Sequence, residues 1–296
     1  MPPEAPVLIS LKEALTQFAF PPANVQTSKH IIPLHWYVAC RLVIEGGFHP
    51  DHIFPRPPIT VKRGKGGLLL HHDPSAAEPG ERTVLGGLKT KKLDVTVTIP
   101  TIGPVLAVSL KGTQRAFRNL TNRMEEAAGD CTNLHMAYPA LVYAFWSVLR
   151  ANEADDPIPV AHFQLKDGRY AVPDRTFLSG GELAEPIERY RQALLRLSER
   201  DDLRDHPSRY EACGLTFVKA RGGPAECGVY AGHAHPKLDY NRMFQRLYAI
   251  FDRRFVYTAA TLRSRTRRKV WHRESPLLRD TILRQDAFAE MEPRVG

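Results

Sequence analysis

The segment from Asp94 to Glu126, DVTVTIPTIGPVLAVSLKGTQRAFRNLTNRMEE, constrains the fold more than any other part of the chain. Asp94 to Ile99 alternates polar and β-branched residues, which predicts a strand. Pro100 to Pro104 predicts a turn. Val105 to Leu110 then reads as the second strand of a hairpin, with Lys111 at its end. Gly112 is expected to break that strand and Thr113 to cap a following helix. Phe117, Leu120 and Met124 recur at roughly helical spacing and are expected to face a core. The resulting order is carboxylate, hairpin, lysine, helix, carboxylate.

These residue types belong together chemically. Cleavage of a phosphodiester calls for a divalent cation that neutralises the phosphate and lowers the pKa of the attacking water. Mg²⁺ takes one or two protein carboxylates together with waters and a phosphate oxygen. Asp94 and a second carboxylate could provide the protein oxygens. A lysine beside them is kept charged by the acids and can orient water or stabilise developing negative charge.

An Asp at the head of a β-hairpin with a Lys at the end of the next strand resembles the PD-(D/E)xK nuclease superfamily. Leu93 stands where that superfamily often has Pro, and Ser109 where it usually has Glu or Asp. Restriction endonucleases of the CCGG-recognising group resemble this chain in carrying Ser-x-Lys on the strand, with the glutamate moved to the next helix fourteen residues after the lysine. At that offset from Ser109-Leu110-Lys111 stands Glu125, and Glu126 is its neighbour. The likeness covers about forty residues, through Tyr138-Pro139. The group's base-reading Arg-x-Asp is absent from Gln114-Arg115-Ala116-Phe117-Arg118, so recognition of CCGG does not carry over.

The resemblance implies a restriction-endonuclease-like core and a site in which Asp94 and Glu125 bind Mg²⁺, with Mn²⁺ able to substitute. Lys111 orients water or stabilises charge, and Ser109 fills the vacated acid position. Many nucleases of the superfamily add a glutamate from a helix that precedes the sheet. Glu45 is the candidate here, although a surface charge at a helix end is the favoured reading of it.

Charge and cysteine usage bound the class. The 296 residues carry a formal charge of +9, which points to a polyanionic partner. Cys40, Cys131, Cys213 and Cys227 are scattered without CxxC spacing and read as reduced, buried thiols of a cytoplasmic protein. Nothing approaches eighteen consecutive apolar residues, so no membrane span is expected. The first residues, MPPEAPVLISLKEAL, lack a basic region followed by an apolar run, and no signal peptide is expected.

Along the chain, residues 1–28 read as an N-terminal extension with a helix at Leu11 to Phe18, packed outside the core or on a partner. Residues 29–255 read as the core, and 256–296 as a basic C-terminal arm with a helix over Asp280 to Glu290. Ile32 to Glu45 predicts a helix. Residues 47–93, rich in Gly, Pro, Lys and His, predict a flexible basic loop with short strands at Ile59 to Lys62 and Leu68 to His71. Cys131 to Pro139 predicts a loop, and Leu141 to Leu149, apolar almost throughout, a buried parallel strand. A possible strand at Val160 to Leu165, a helix at Glu182 to Arg200, a strand at Tyr210 to Lys219 and a helix at Leu238 to Phe251 complete an α/β fold. Its mixed central sheet is flanked by helices. Pro173-Asp174 mimics the same motif, but its best downstream lysine, Lys219, lacks an acid two residues earlier.

These readings converge on a Mg²⁺-dependent, sequence-specific endonuclease of restriction type that acts on double-stranded DNA as a homodimer or higher homo-oligomer. Gln114, Arg115, Arg118 and Asn119 are the expected base readers. Arg265, Arg267 and Arg268, in an acid-free cluster, are the expected phosphate contacts. Two alternatives stay open: a repair or anti-phage nuclease of low specificity, and an inactive DNA-binding module on a decayed nuclease fold. Glu125 discriminates, since a site left with one acid would bind metal poorly.

Overall fold

The computed structural model describes residues 8–21, 28–153, 165, 167–169, 172–233, 235–281, 283 and 287–296; the side chains of Ser28 and Arg118 lie outside that set. In chain order its elements begin with helices α1 (Leu11–Ala19) and α2 (Ile32–Ile44) and the short strand β1 (Ile53–Phe54). Two hairpins follow, β2 (Ile59–Gly64) with β3 (Gly67–His72), and β4 (Arg82–Leu85) with β5 (Thr90–Leu93). Next come β6 (Val95–Ile99), β7 (Gly103–Thr113), α3 (Leu120–Ala137), β8 (Val142–Ala151), α4 (Glu185–Leu197) and β9 (Ala212–Lys219). The chain closes with β10 (Gly228–Val229), α5 (Tyr240–Phe251), α6 (Arg263–Thr266) and α7 (Pro276–Arg279).

The central sheet is mixed and six-stranded, in the order β1-β6-β7-β8-β9-β10. β7, β8 and β9 run parallel, while β1, β6 and β10 pair antiparallel at the flanks. Every residue of β8 is buried, which explains the unbroken apolar run: a strand covered on both faces has no solvent side to mark. Alternation divides it cleanly. Val142, Ala144, Trp146 and Val148 join a core cluster with α1, α2 and α5, whereas Tyr143, Phe145 and Leu149 join α3 and α4 on the other face. The expected helix over Glu182 to Arg200 is shorter, Glu185–Leu197, with Ile187, Tyr190 and Leu194 inward as its period requires.

Several expectations are corrected. Gly112 does not end the strand, and Thr113 caps nothing, because β7 runs through both and α3 starts only at Leu120. A Cβ at Gly112 would lie 2.6 Å from Cε2 of Phe18, so the glycine admits α1 onto the sheet. Cys131 to Ala137 is helical, not a loop. The polar residues that weaken helix propensity there are bound to tertiary partners. Asn133 accepts from the Leu88 and Lys89 amides (2.7 and 3.0 Å) and donates to the Lys89 carbonyl, while Asp130 pairs with Lys91. In residues 47–93 the short strands expected at Ile59 to Lys62 and Leu68 to His71 are present as β2 and β3, but β1 and the β4–β5 hairpin take the place of a flexible loop around them.

The first and last described segments both pack into the core. Leu11, Ala14, Leu15 and Phe18 of α1 share a cluster with Trp271, Leu277, Leu278, Phe288 and Met291. Trp271 is fully buried and donates from Nε1 to the Val43 carbonyl at 2.8 Å, so 256–296 is no free arm. The strand expected at Val160 to Leu165 and part of the helix expected over Asp280 to Glu290 fall outside the described residues.

Candidate metal-binding and catalytic site

Strand alternation sets the first part of the site. Leu106, Val108 and Leu110 of β7 point into the α1–α2–α5 core, so Ala107, Ser109 and Lys111 share the opposite face. Asp94 lies just before β6, one pair beyond the Val95–Val108 register, and so falls beside Ser109. Its Oδ2 accepts from the Leu110 amide at 2.7 Å and the Ser109 hydroxyl at 3.0 Å. Lys111 Nζ stands 3.9 Å from the same oxygen, and its side chain is 26% exposed. The hairpin therefore brings together Asp94, Ser109 and Lys111, and Ser109 acts by holding the Asp94 carboxylate.

Two further residues join from outside the segment. Glu81, just before β4, is carried by the hairpin that Asn133 fixes to α3. It pairs with Lys92 at 2.8 Å and faces His35 Nδ1 at 3.8 Å. His35 occupies the first turn of α2 and is 3% exposed. Donor atoms of His35, Glu81 and Asp94 lie within 4.8 Å of one another. Burial pulls the His35 pKa below its ordinary value, against the upward pull of Asp94 and Glu81, so the ring is held toward its neutral, ligating form. Two carboxylates and a buried imidazole whose Nε2 has no hydrogen-bond partner among the described residues fit a divalent ion.

Sequence reasoning missed both. His35 did carry a signal, being a polar residue on the apolar stripe it shares with Val38, Ala39 and Leu42, three, four and seven residues on. Glu81 carried none, because only the docking of its hairpin brings it to Asp94.

The expected second acid is misplaced. The buried stripe of α3 runs through Leu120, Ala127, Cys131 and Leu134. At 100° per residue, Glu125 lies about 160° from Ala127 and points away from the sheet, whereas Glu126 lies about 100° from it, in line with Asp130. Both are exposed. Glu126 pairs with Arg123 at 2.9 Å. Partial burial pushes its carboxyl up, but the Arg123 bond together with the charges of Lys111, Arg123 and Lys91 holds it below the ordinary glutamate value. The relocated-acid geometry implied for Glu125 is therefore not present, and Glu126 is the helix acid on the Lys111 side. Glu45 is neither a site residue nor a surface charge. It lies ten residues, about 15 Å, beyond His35 along α2 and is buried against Arg41 at 3.0 Å.

The expected nucleic-acid contacts divide. Gln114 is buried and donates to the Phe18 carbonyl, which removes it as a base reader. Arg115 is half-buried, and its carbonyl accepts from the Asp174 amide at 2.7 Å. Asp174 in turn accepts from the Phe117 amide, so the decoy motif anchors the approach to α3. Asn119 is exposed at the start of α3, and the Arg118 side chain lies outside the described set. Arg268 is buried, bound to Asp252 (2.7 and 3.0 Å) and to the Gly46 carbonyl, so it is not a phosphate contact. Arg265 and Arg267 are exposed. Arg265 reaches Thr101 Oγ1 at the tip of the β6–β7 turn. That tip lies beyond Ile99, which is itself five residues, roughly 17 Å, from Asp94 along the strand.

No helix among the described residues is long and apolar enough to cross a membrane. Comparison with family models, with curated proteins and with solved structures finds no match.

Proposed function

We propose that the protein is a metal-dependent nuclease that hydrolyses phosphodiester bonds in double-stranded DNA. The observation that carries this reading is the placement of Asp94 and Lys111 on neighbouring strands, 3.9 Å apart, with Glu81 brought to the same place. The site is therefore not left with a single acid when Glu125 turns away, which favours an enzyme over an inactive DNA-binding module. A divalent ion held by Asp94 and Glu81 would polarise a phosphate oxygen and lower the pKa of a bound water.

The chain's own groups supply the rest. Ser109 and the Leu110 amide fix the Asp94 carboxylate, so it meets a ligand without first giving up rotamer freedom. The Lys111 ammonium, only partly exposed, offers positive charge where negative charge builds on a phosphate. A formal charge of +9 favours a polyanionic substrate. A restriction-endonuclease-like core, action as a homodimer, and base reading by Asn119 and Arg115 belong to the same proposal.

The test is incubation of the purified protein with plasmid and linear duplex DNA, with Mg²⁺ or Mn²⁺ and with a chelator. Metal-dependent cleavage that disappears in Asp94→Asn and Lys111→Ala, both folded by circular dichroism, is the expected result. Undiminished cleavage by Asp94→Asn would overturn the site. Ends mapped to one sequence would favour restriction type over a nuclease of low specificity.

A further inference from the structure

We infer that this site takes a first-row transition ion, Mn²⁺ in preference to Mg²⁺, with a nitrogen of His35 and the Glu81 carboxylate joining Asp94 as ligands. The inference rests on the location of the proposed site but not on its substrate. It starts from an unfilled valence. His35 is 3% exposed, and its Nε2 has no hydrogen-bond partner among the described residues. Nδ1 faces Glu81 at 3.8 Å, too far for a hydrogen bond. Leaving a buried imidazole short of partners costs about 1–3 kcal/mol, and an ion set between the ring and the Glu81 and Asp94 carboxylates would give it one.

The ligand types choose among ions. Mg²⁺ is hard, prefers oxygen and gives up its waters reluctantly. An imidazole nitrogen adds little for it but suits the borderline ions, while two carboxylates suit Mn²⁺ as well as Mg²⁺. One nitrogen with two carboxylates therefore shifts preference toward Mn²⁺. The 4.8 Å spread of the donor atoms exceeds the roughly 3 Å between neighbouring ligands at 2.1 Å from one ion, so binding would draw the three side chains together.

Titration of Mn²⁺ into the metal-free protein, followed by electron paramagnetic resonance, is expected to give one bound ion. Pulsed measurements on the wild type should show nitrogen hyperfine modulation. His35→Gln should remove the modulation and weaken Mn²⁺ at least about tenfold, while Mg²⁺ affinity, read by competition, changes less than about threefold. No bound Mn²⁺, a bound ion without nitrogen modulation in the wild type, or displacement by equimolar Mg²⁺ would each overturn the inference. Since the wild-type spectrum needs no variant, misfolding of His35→Gln leaves the test intact. Mn²⁺ bound through His35 with every DNA left whole would sink the nuclease reading alone, and cleavage with Mg²⁺ without nitrogen coupling would sink only this one.

Discussion

The Asp94 site and the cluster around Glu211 are built from the same kinds of residue, yet the Glu211 carboxylate is enclosed by its bases and the Asp94 carboxylate is partly open. Glu211 is fully buried, and its carboxylate meets Arg200 at 2.7 Å, Arg254 at 2.6 Å, His135 Nε2 at 3.4 Å and the Tyr143 amide at 2.8 Å. It ties α3, β8 and the region after α5 together, with no face of the carboxylate left to solvent. At Asp94 the Lys111 ammonium is 3.9 Å away and partly exposed, and the carboxylate itself is 13% exposed. A buried carboxylate whose own oxygens are fully engaged contributes to holding the fold. One left incomplete retains binding capacity, and functional sites are drawn from that kind.

The sharpest way to break this contrast is to neutralise each acid in turn and read both activity and stability. Asp94→Asn is expected to lower cleavage by about 10³-fold, the equivalent of roughly 4 kcal/mol of barrier, with little loss of thermal stability. A variant that unfolds while its folded fraction still cuts would make Asp94 structural and erase the distinction.

Glu211→Gln should do the reverse and cost about 3–5 kcal/mol of stability, measured by urea unfolding, because Arg200 and Arg254 would lose their buried counter-charge. Burial pushes the Glu211 carboxyl up, but His135, Arg254 and the Tyr143 amide outweigh it and hold it below the ordinary glutamate value. A depressed carboxyl stabilises the fold above its unfolded pKa of about 4.5 and loses that contribution as pH falls through the lower, folded value. The gap between wild type and Glu211→Gln should accordingly be constant above about pH 5 and shrink in more acidic buffer. A gap that widens on acidification would refute the assignment.

Helix acids give a smaller effect. Glu126→Ala should alter cleavage by up to about fivefold through the field at Lys111, as expected for exposed charges. Glu125→Ala should leave the rate unchanged in the same assay. A large loss in Glu125→Ala would restore the relocated-acid geometry.

The weakest expected effect comes from a surface at the opposite end of β6 from Asp94. Replacing Arg265 and Arg267 by alanine should lower the slope of log K against log[salt] by roughly one unit per lost phosphate contact, without changing the cleaved sequence. An unchanged slope in a binding titration across salt concentrations would remove this surface from the DNA interface.

What the sequence by itself determined is whatever depends on local periodicity. The β6–β7 hairpin with Asp94 and Lys111 at one end follows from alternation, and the buried parallel β8 from its apolar run. The helices at Glu185–Leu197 and Tyr240–Phe251 follow from their 3.6-residue stripes. Tertiary structure decided the rest, because the competing forces there act between distant segments. Asp130 and Asn133 keep α3 helical past Cys131 by binding a hairpin 39 to 45 residues earlier, against their own propensity. Arg268 and Gln114 look like exposed polar residues in the sequence but are consumed by Asp252 and the Phe18 carbonyl. Glu81 and His35 reach Asp94 only because β4–β5 and α2 converge on one end of β6. No spacing along the chain encodes that meeting, since it is fixed by which apolar faces the sheet and helices must cover.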